Sequence, residues 1–309
     1  AFLPRNGHLL ADLSVSNKHI DGNVNLDGTL KRDNGKEWIN TSLSSALNTL
    51  DLYSLGIPEH PLQIGFSSDV DITTDMTDSY RLSGLMDNIH LKDSLHTYHP
   101  EKVGILLKGN ADTTCVRAQS GTLIVKLDAK GGYGLLTDHV TALGDTIGRR
   151  VIDQQSLKQM LPVARLYVSS QQGNPMANIL KAALNTDFHD LLIDLNTSPQ
   201  SGLNGQAHIY GLNADSTRID TILVTLVDKP NHGLTFQARV VNNRKNPQFV
   251  FTALADGLLQ EHGASIGIRF FDRKGDMGLR LGAKAEMEQG GMRFHLLPQR
   301  PTIGYRSFT

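Results

Sequence analysis

One cysteine and one tryptophan stand in 309 residues, and aromatic side chains make up only 6% of the chain. A lone thiol excludes an internal disulfide and any cysteine-built metal cluster. Cys115, in "TTCVRA" with no companion motif around it, is expected to be a small core residue. So few aromatics argue against a thick core of interlocked large side chains. A surplus of one charge is missing too, since 30 basic residues meet 31 acidic ones. Nucleic-acid binders draw much of their affinity from a basic surplus through counterion release, so no nucleic acid is expected as a partner. No run reaches the ~18–20 apolar residues that span a bilayer, and no charged-then-apolar leader opens the chain. The opening "AFLPRNGHLLADLSVS" reads as the middle of a fold and the closing "TIGYRSFT" as strand, so the expectation is an excerpt of a longer protein.

What is present is alternation, punctuated by 29 glycines. In "MGLRLGAKAEMEQGGMRFHLLP" (277–298), Leu279, Leu281, Ala283, Ala285 and Met287 alternate with Arg280, Gly282, Lys284, Glu286 and Glu288. Period-2 patterning of this kind makes a strand with one oily and one wet face. The same pattern runs through Leu9–Val15, Val24–Leu30 and "TLIVKLDAKGGYGLL", and again through "LNGQAHIYGL", "TRIDTILVTLVD", "GLTFQARVVNN" and "GASIGIRFFD". About twenty strands of ordinary length are expected, joined by short turns. Residues 38–57 fit either a short helix or an irregular edge. Weak self-similarity links 82–94 with 203–216, and 164–175 with 238–247, as strand-stacking architectures allow.

Between 138 and 185 the period changes. Leu143, Ile147, Val151, Ile152, Leu157 and Met160 recur at helical spacing until Pro162, and "NPMANILKAALNTD" offers Asn174 as cap, Pro175 in the first turn and a stripe of Met176, Ile179, Leu180 and Leu184. The organisation expected is therefore a first β segment (1–137), a helical insertion or spacer (138–185) and a second β segment (186–309).

No chemistry announces itself. His96 and His99 in "HTYH" read as loop histidines without a second ligand pair. Asp69 and Asp71 in "DVD" share a strand face and could hold a cation, but they also suit a solvated strand entering a polar loop. "KGGYG" (130–134) lacks the spacing of a dinucleotide fingerprint or a P-loop and reads as a turn that opens no helix. No GxSxG occurs. The chain is expected not to be an enzyme, with no catalytic residue, no metal and no cofactor.

The strand runs at 203–227 and 238–309, with "YRLSGLMDNIHLKDSLHTYHPE" in the first half, resemble an internal portion of a TamB-type translocation and assembly module of the AsmA-like group. The resemblance lies in strand patterning, with no invariant catalytic motif. It implies a mainly β fold, an elongated, curled antiparallel or mixed sheet forming a β-taco trough, here with a short helical segment near the middle. It implies a periplasmic location in a protein anchored in the inner membrane, and a trough that conducts phospholipid towards the outer membrane. Partners implied are phospholipid acyl chains and, through parts of the protein outside this chain, an outer-membrane barrel. Two other readings fit the same alternation: a chaperone-like module that assists outer-membrane protein assembly by β-augmentation, and a structural β-solenoid with a dry core. The residues expected to line the trough are the regular alternators Val24, Leu26, Leu123, Val125, Leu127, Ala207, Ile209, Ile266, Ile268, Phe270, Leu279, Leu281, Ala283, Met287, Phe294 and Leu296.

Overall fold

The computed structural model describes residues 7–33, 35–57, 60–148, 154–173, 177, 180–181, 184–214, 216–229, 232–288 and 291–308. Strands take 69% of the chain and helices 7%. Ordinary domains hold about 20–25% strand, so backbone hydrogen bonding here is satisfied almost wholly between strands. The result is one large antiparallel sheet that is not closed into a barrel, mainly β as expected.

In chain order the described elements begin with β1 (His8–Ser16), β2 (Ile20–Asp33), β3 (Lys36–Asp51), β4 (Gln63–Thr74), β5 (Tyr80–Lys92), β6 (Thr97–Tyr98), β7 (Val103–Gly109), β8 (Thr113–Ser120) and β9 (Leu123–Lys130). Then come α1 (Tyr133–Gly148), α2 (Gln154–Gln159), β10 (Ala164–Gln171), β11 (Thr186–Asp187) and β12 (Asp190–Ser198). The rest are β13 (Gly202–Ala214), β14 (Thr217–Lys229), β15 (Gly233–Asn242), β16 (Phe251–Gln260), β17 (Gly263–Phe271), β18 (Met277–Glu288), β19 (Gly291–Ile303) and β20 (Arg306–Ser307). Two compact units result: residues 1–134 with 168–187, and residues 135–167 with 188–309. Of the segment 138–185, residues 138–167 group with the second unit and 168–185 with the first.

Short polar turns make the meander. Asn17 Oδ1 accepts the N–H groups of His19 and Ile20 at 2.8 and 3.0 Å, closing β1 onto β2. Asn110 does the same for Asp112 and Thr113, Asp93 for Leu95 and His96, and Asp272 for Lys274 and Asp276. A side-chain oxygen that captures N–H groups two to four residues on imitates a backbone turn, which is why Asn and Asp recur at these corners.

The β4–β5 corner is the most heavily tied. Asp75, almost wholly buried, accepts N–H groups from Thr77, Asp78 and Ser79 at 3.1, 3.1 and 2.8 Å, and Lys36 Nζ donates to its other oxygen at 2.9 Å. Burial alone would raise its pKa, but the Lys36 ammonium and the converging donors outweigh it and hold the carboxyl well below the usual range. A depressed folded pKa contributes stability that is complete above the unfolded value of about 4 and is withdrawn as pH falls below it. Asp75→Asn should therefore destabilise the protein at pH 7 and flatten the acid side of its stability–pH curve, as read by urea unfolding between pH 2 and 7.

Two local expectations are corrected. Residues 36–51 form one continuous strand, β3, and not a short helix or irregular edge. Its many Ser and Asn residues have weak strand preference, yet β3 pairs with β2 on one side and β4 on the other, and a helix there would orphan both ladders. "KGGYG" does open a helix: β9 ends at Lys130, Gly131 takes φ 87°, and α1 starts at Tyr133, five residues before the expected change of period. Of the expected helical stripes, Val151, Ile152, Asn174, Pro175, Met176 and Ile179 lie outside the described residues, while Leu180 and Leu184 are helical.

Candidate functional site

Register decides which side chains share a face, because residues directly opposite in an antiparallel pair point the same way. In the first unit Ala11, Leu26, Leu43, Val70, Gly84, Ile105, Ala118 and Val125 form one unbroken rung across β1–β5 and β7–β9. The neighbouring rung runs Ile72, Leu82, Leu107, Val116, Leu127. Val24, opposite Leu13, and Leu123 lie on the same face.

The second unit repeats the plan. Ile193, Ala207, Val224, Ala238, Ala255, Ile268 and Leu281 make one rung, and Ile209, Ile222, Val240, Ala253, Phe270, Leu279 and Ile303 another. A third passes through Leu226, Phe236, Gly257, Ile266, Ala283 and Leu296. Met287 and Phe294 extend the face along β18 and β19. All sixteen residues expected to act together therefore fall on one face of their own unit. At Gly257 the glycine is required, because the Phe236 ring lies where a β-carbon would stand.

The opposite face is wet. Arg117 meets Asp128 at 2.6 Å, Arg269 meets Asp256 at 2.9 Å, His208 meets Asp190 at 2.7 Å and Lys284 meets Glu286 at 2.6 Å. Such pairs add little stability at a surface. They mark the side built for water.

Among the described residues of each unit nothing comparable lies over the apolar side. In the described parts of the chain only seven hydrophobic side chains are buried, and of the sixteen residues Leu123 alone is among them. Ile266 and Ile268 are 43% and 41% exposed, and Phe294 and Leu296 are 70% and 78% exposed. A two-layer sandwich would have buried these rungs against a second sheet. α2 does approach β16 in the second unit, with Lys158 3.5 Å from the buried Asp228, but it is six residues long against a face eight strands wide.

The remaining candidates from the sequence do not converge on chemistry. Asp69 and Asp71 accept hydrogen bonds from Ser44 and Ser42, each at 2.7 Å, and line a hollow of about 560 Å³ with Arg117 and Lys126. Among the described residues no group of His, Cys, Asp or Glu is placed to hold a metal ion. His96 sits in the corner after β5, 3.8 Å from Asp93. Cys115 is half-buried on the wet face opposite Asp128, not in a core. No helix among the described residues is long and apolar enough to cross a membrane.

Sequence reading missed half of the face. Ile222, Val224 and Leu226 stand in "TILVTLVD", where Leu223 and Val227 are apolar too, so parity could not be assigned without the register. The fold and face together define a class: an open antiparallel sheet with an apolar side that, among the described residues of each unit, no second sheet covers. No protein-family model, curated protein or solved structure matches the chain.

Proposed function

We propose that the apolar face holds phospholipid acyl chains, and that the chain is a periplasmic segment of a bridge carrying phospholipid towards the outer membrane. The observation that supports this reading is the continuous set of apolar rungs in each unit, with no covering layer among its described residues. Each methylene withdrawn from water contributes about 0.8 kcal/mol, so ten offset roughly 8 kcal/mol without any specific polar contact. A lining of Leu, Ile, Val, Ala and Met suits chains of varying length and unsaturation. The resemblance to TamB-type proteins supplies the location, the inner-membrane anchor and an outer-membrane barrel partner, the last two through parts of the protein outside this chain. No catalytic group or cofactor is needed, because the work is solvation along a path. The dry core of a structural solenoid fits poorly with Ile266 and Ile268, mid-face in the second unit, which stay 43% and 41% exposed.

The test is direct. Protein purified from envelopes should carry phospholipid by mass spectrometry, and photo-crosslinkers at Val125, Ile268 and Leu281 should label lipid in cells. Absence of both sinks the proposal, and labelling of nascent barrel proteins in place of lipid would move it to the assembly reading.

A further inference from the structure

Three arginines share one rung on the wet face of the second unit. The ladders run Arg239 on β15, Leu254 on β16, Arg269 on β17 and Arg280 on β18, so Arg269 and Arg280 stand directly opposite each other. Opposed residues lie about 4.5–5.5 Å apart at Cα, and like charges in that position are destabilising. One carboxylate answers them: Asp256 accepts a hydrogen bond from Arg269 at 2.9 Å. For the side chains of Arg239 and Arg280, no hydrogen bond or ion pair is found among the described residues. Glu286, further along β18, is taken by Lys284 at 2.6 Å and by His295 at 3.4 Å.

The arginines border a hollow. On the next rung of the same face Gly267 pairs with Gly282, and two opposed residues without side chains leave bare backbone between the flanking groups. Arg269, Arg280, Asp256 and Leu297 stand around the two glycines, in a hollow of about 570 Å³. Gly282 holds the space open, since a β-carbon there would stand 2.6 Å from the Ile266 carbonyl oxygen. Arg239 lines an adjoining hollow with Arg269 and Asp256. The first unit shows the contrasting case. There Arg117 and Lys126 are also directly opposed, but Asp128 holds Arg117 at 2.6 Å and Asp69 and Asp71 line the same hollow. Two cations meet three carboxylates there; in the second unit three cations meet one.

We propose that the hollow over Gly267 and Gly282 binds a phosphate-type dianion, either inorganic phosphate or the phosphoryl group of a phosphomonoester. An anion set between Arg269 and Arg280 turns their repulsion into charge-assisted hydrogen bonds, and the planar guanidinium fork matches paired phosphate oxygens. Three arginines and one aspartate leave two positive charges, which a dianion balances and chloride does not. The site lies on the side of the sheet away from the apolar rungs. The phosphate of a lipid whose tails lie on those rungs cannot reach it, so this inference stands independently of what occupies the apolar face.

Titration calorimetry of the 309-residue protein with inorganic phosphate, at neutral pH and constant ionic strength, should show one saturable site with a Kd of about 1 mM or tighter. Chloride should show none. Arg280→Gln should weaken phosphate binding about tenfold, while Arg117→Gln, in the hollow where carboxylates outnumber cations, should leave it unchanged. Because Arg280→Gln also relieves the opposed charges, its thermal unfolding midpoint without phosphate should be no lower than the parent's, which separates lost binding from lost fold. Flotation with phosphatidylcholine vesicles containing phosphatidic acid distinguishes the sources. Flotation abolished by Arg280→Gln assigns a lipid headgroup presented to the wet face, and phosphate binding with flotation absent or indifferent to that change assigns a soluble phosphoester. No saturable phosphate binding, equal binding by the parent and Arg280→Gln, or a lowered midpoint in Arg280→Gln would each overturn the proposal.

Discussion

Leu281→Arg should strip phospholipid from the purified protein about tenfold while leaving its unfolding midpoint almost unchanged. The leucine stands on the apolar face opposite Ile268, next to a register shift between Arg280 and Gly282 in the ladder with β19. It is half-exposed, so its loss forfeits little packing, on the order of 1 kcal/mol. An arginine stem can lie along the same rung with its guanidinium turned to water. Acyl chains cannot accept that head beside them. Losing the contact of two methylenes amounts to about 1.6 kcal/mol, which is roughly tenfold in occupancy. Lipid mass spectrometry and thermal unfolding on one preparation separate the outcomes. Normal lipid with a sharply lowered midpoint would mean that the face is ordinary packing.

The largest expected loss of stability lies at Asn242, where the second unit's apolar face ends. Asn242 is 1% exposed, its Oδ1 accepts the Asp220 N–H at 3.0 Å, and its Nδ2 donates to the Arg218 carbonyl at 3.0 Å. The β14–β15 backbone register stops one pair earlier, at Thr221 and Val241, so the asparagine side chain substitutes for the missing rung. Asn246 supports it by donating to the same carbonyl at 3.2 Å and to Asp220 at 3.1 Å. Asn242→Ala leaves the Asp220 N–H without its partner and the Arg218 carbonyl with one donor fewer, at a cost of about 2–3 kcal/mol. Lys245→Ala, nearby and exposed, should stay within about 0.5 kcal/mol. Urea unfolding measures both, and equal effects would refute the role assigned to the asparagine.

Much of the strand content could be read from the residues, and the reason is local. Leu279, Leu281 and Ala283 must share a side because the pleat of a strand has period two, whatever surrounds it. The same rule failed in "TILVTLVD", where apolar residues occupy both parities, and only pairing with β13 and β15 sorts Ile222 and Val224 from Leu223. It failed differently in β3, whose Ser- and Asn-rich sequence has weak strand preference and is held extended by neighbours on both sides. Helix α1 began earlier than its apolar period suggested, because the start follows from where β9 ends and not from the stripe.

For the candidate site the division is sharper. Alternation by itself determined that each strand would have an apolar side and a charged one, and the turn-forming Asn and Asp residues determined where many strands would reverse. Both depend on contacts only a few residues apart. Which apolar sides join into one face depended on register across eight strands. Whether that face is covered depended on every other element in the chain. Half-exposed Ile266 and Ile268 would carry the same letters inside a sandwich. The tertiary structure alone decided that, among the described residues of their own unit, no second layer meets them, because covering is a property of distant segments and leaves no local pattern in the strand that is covered.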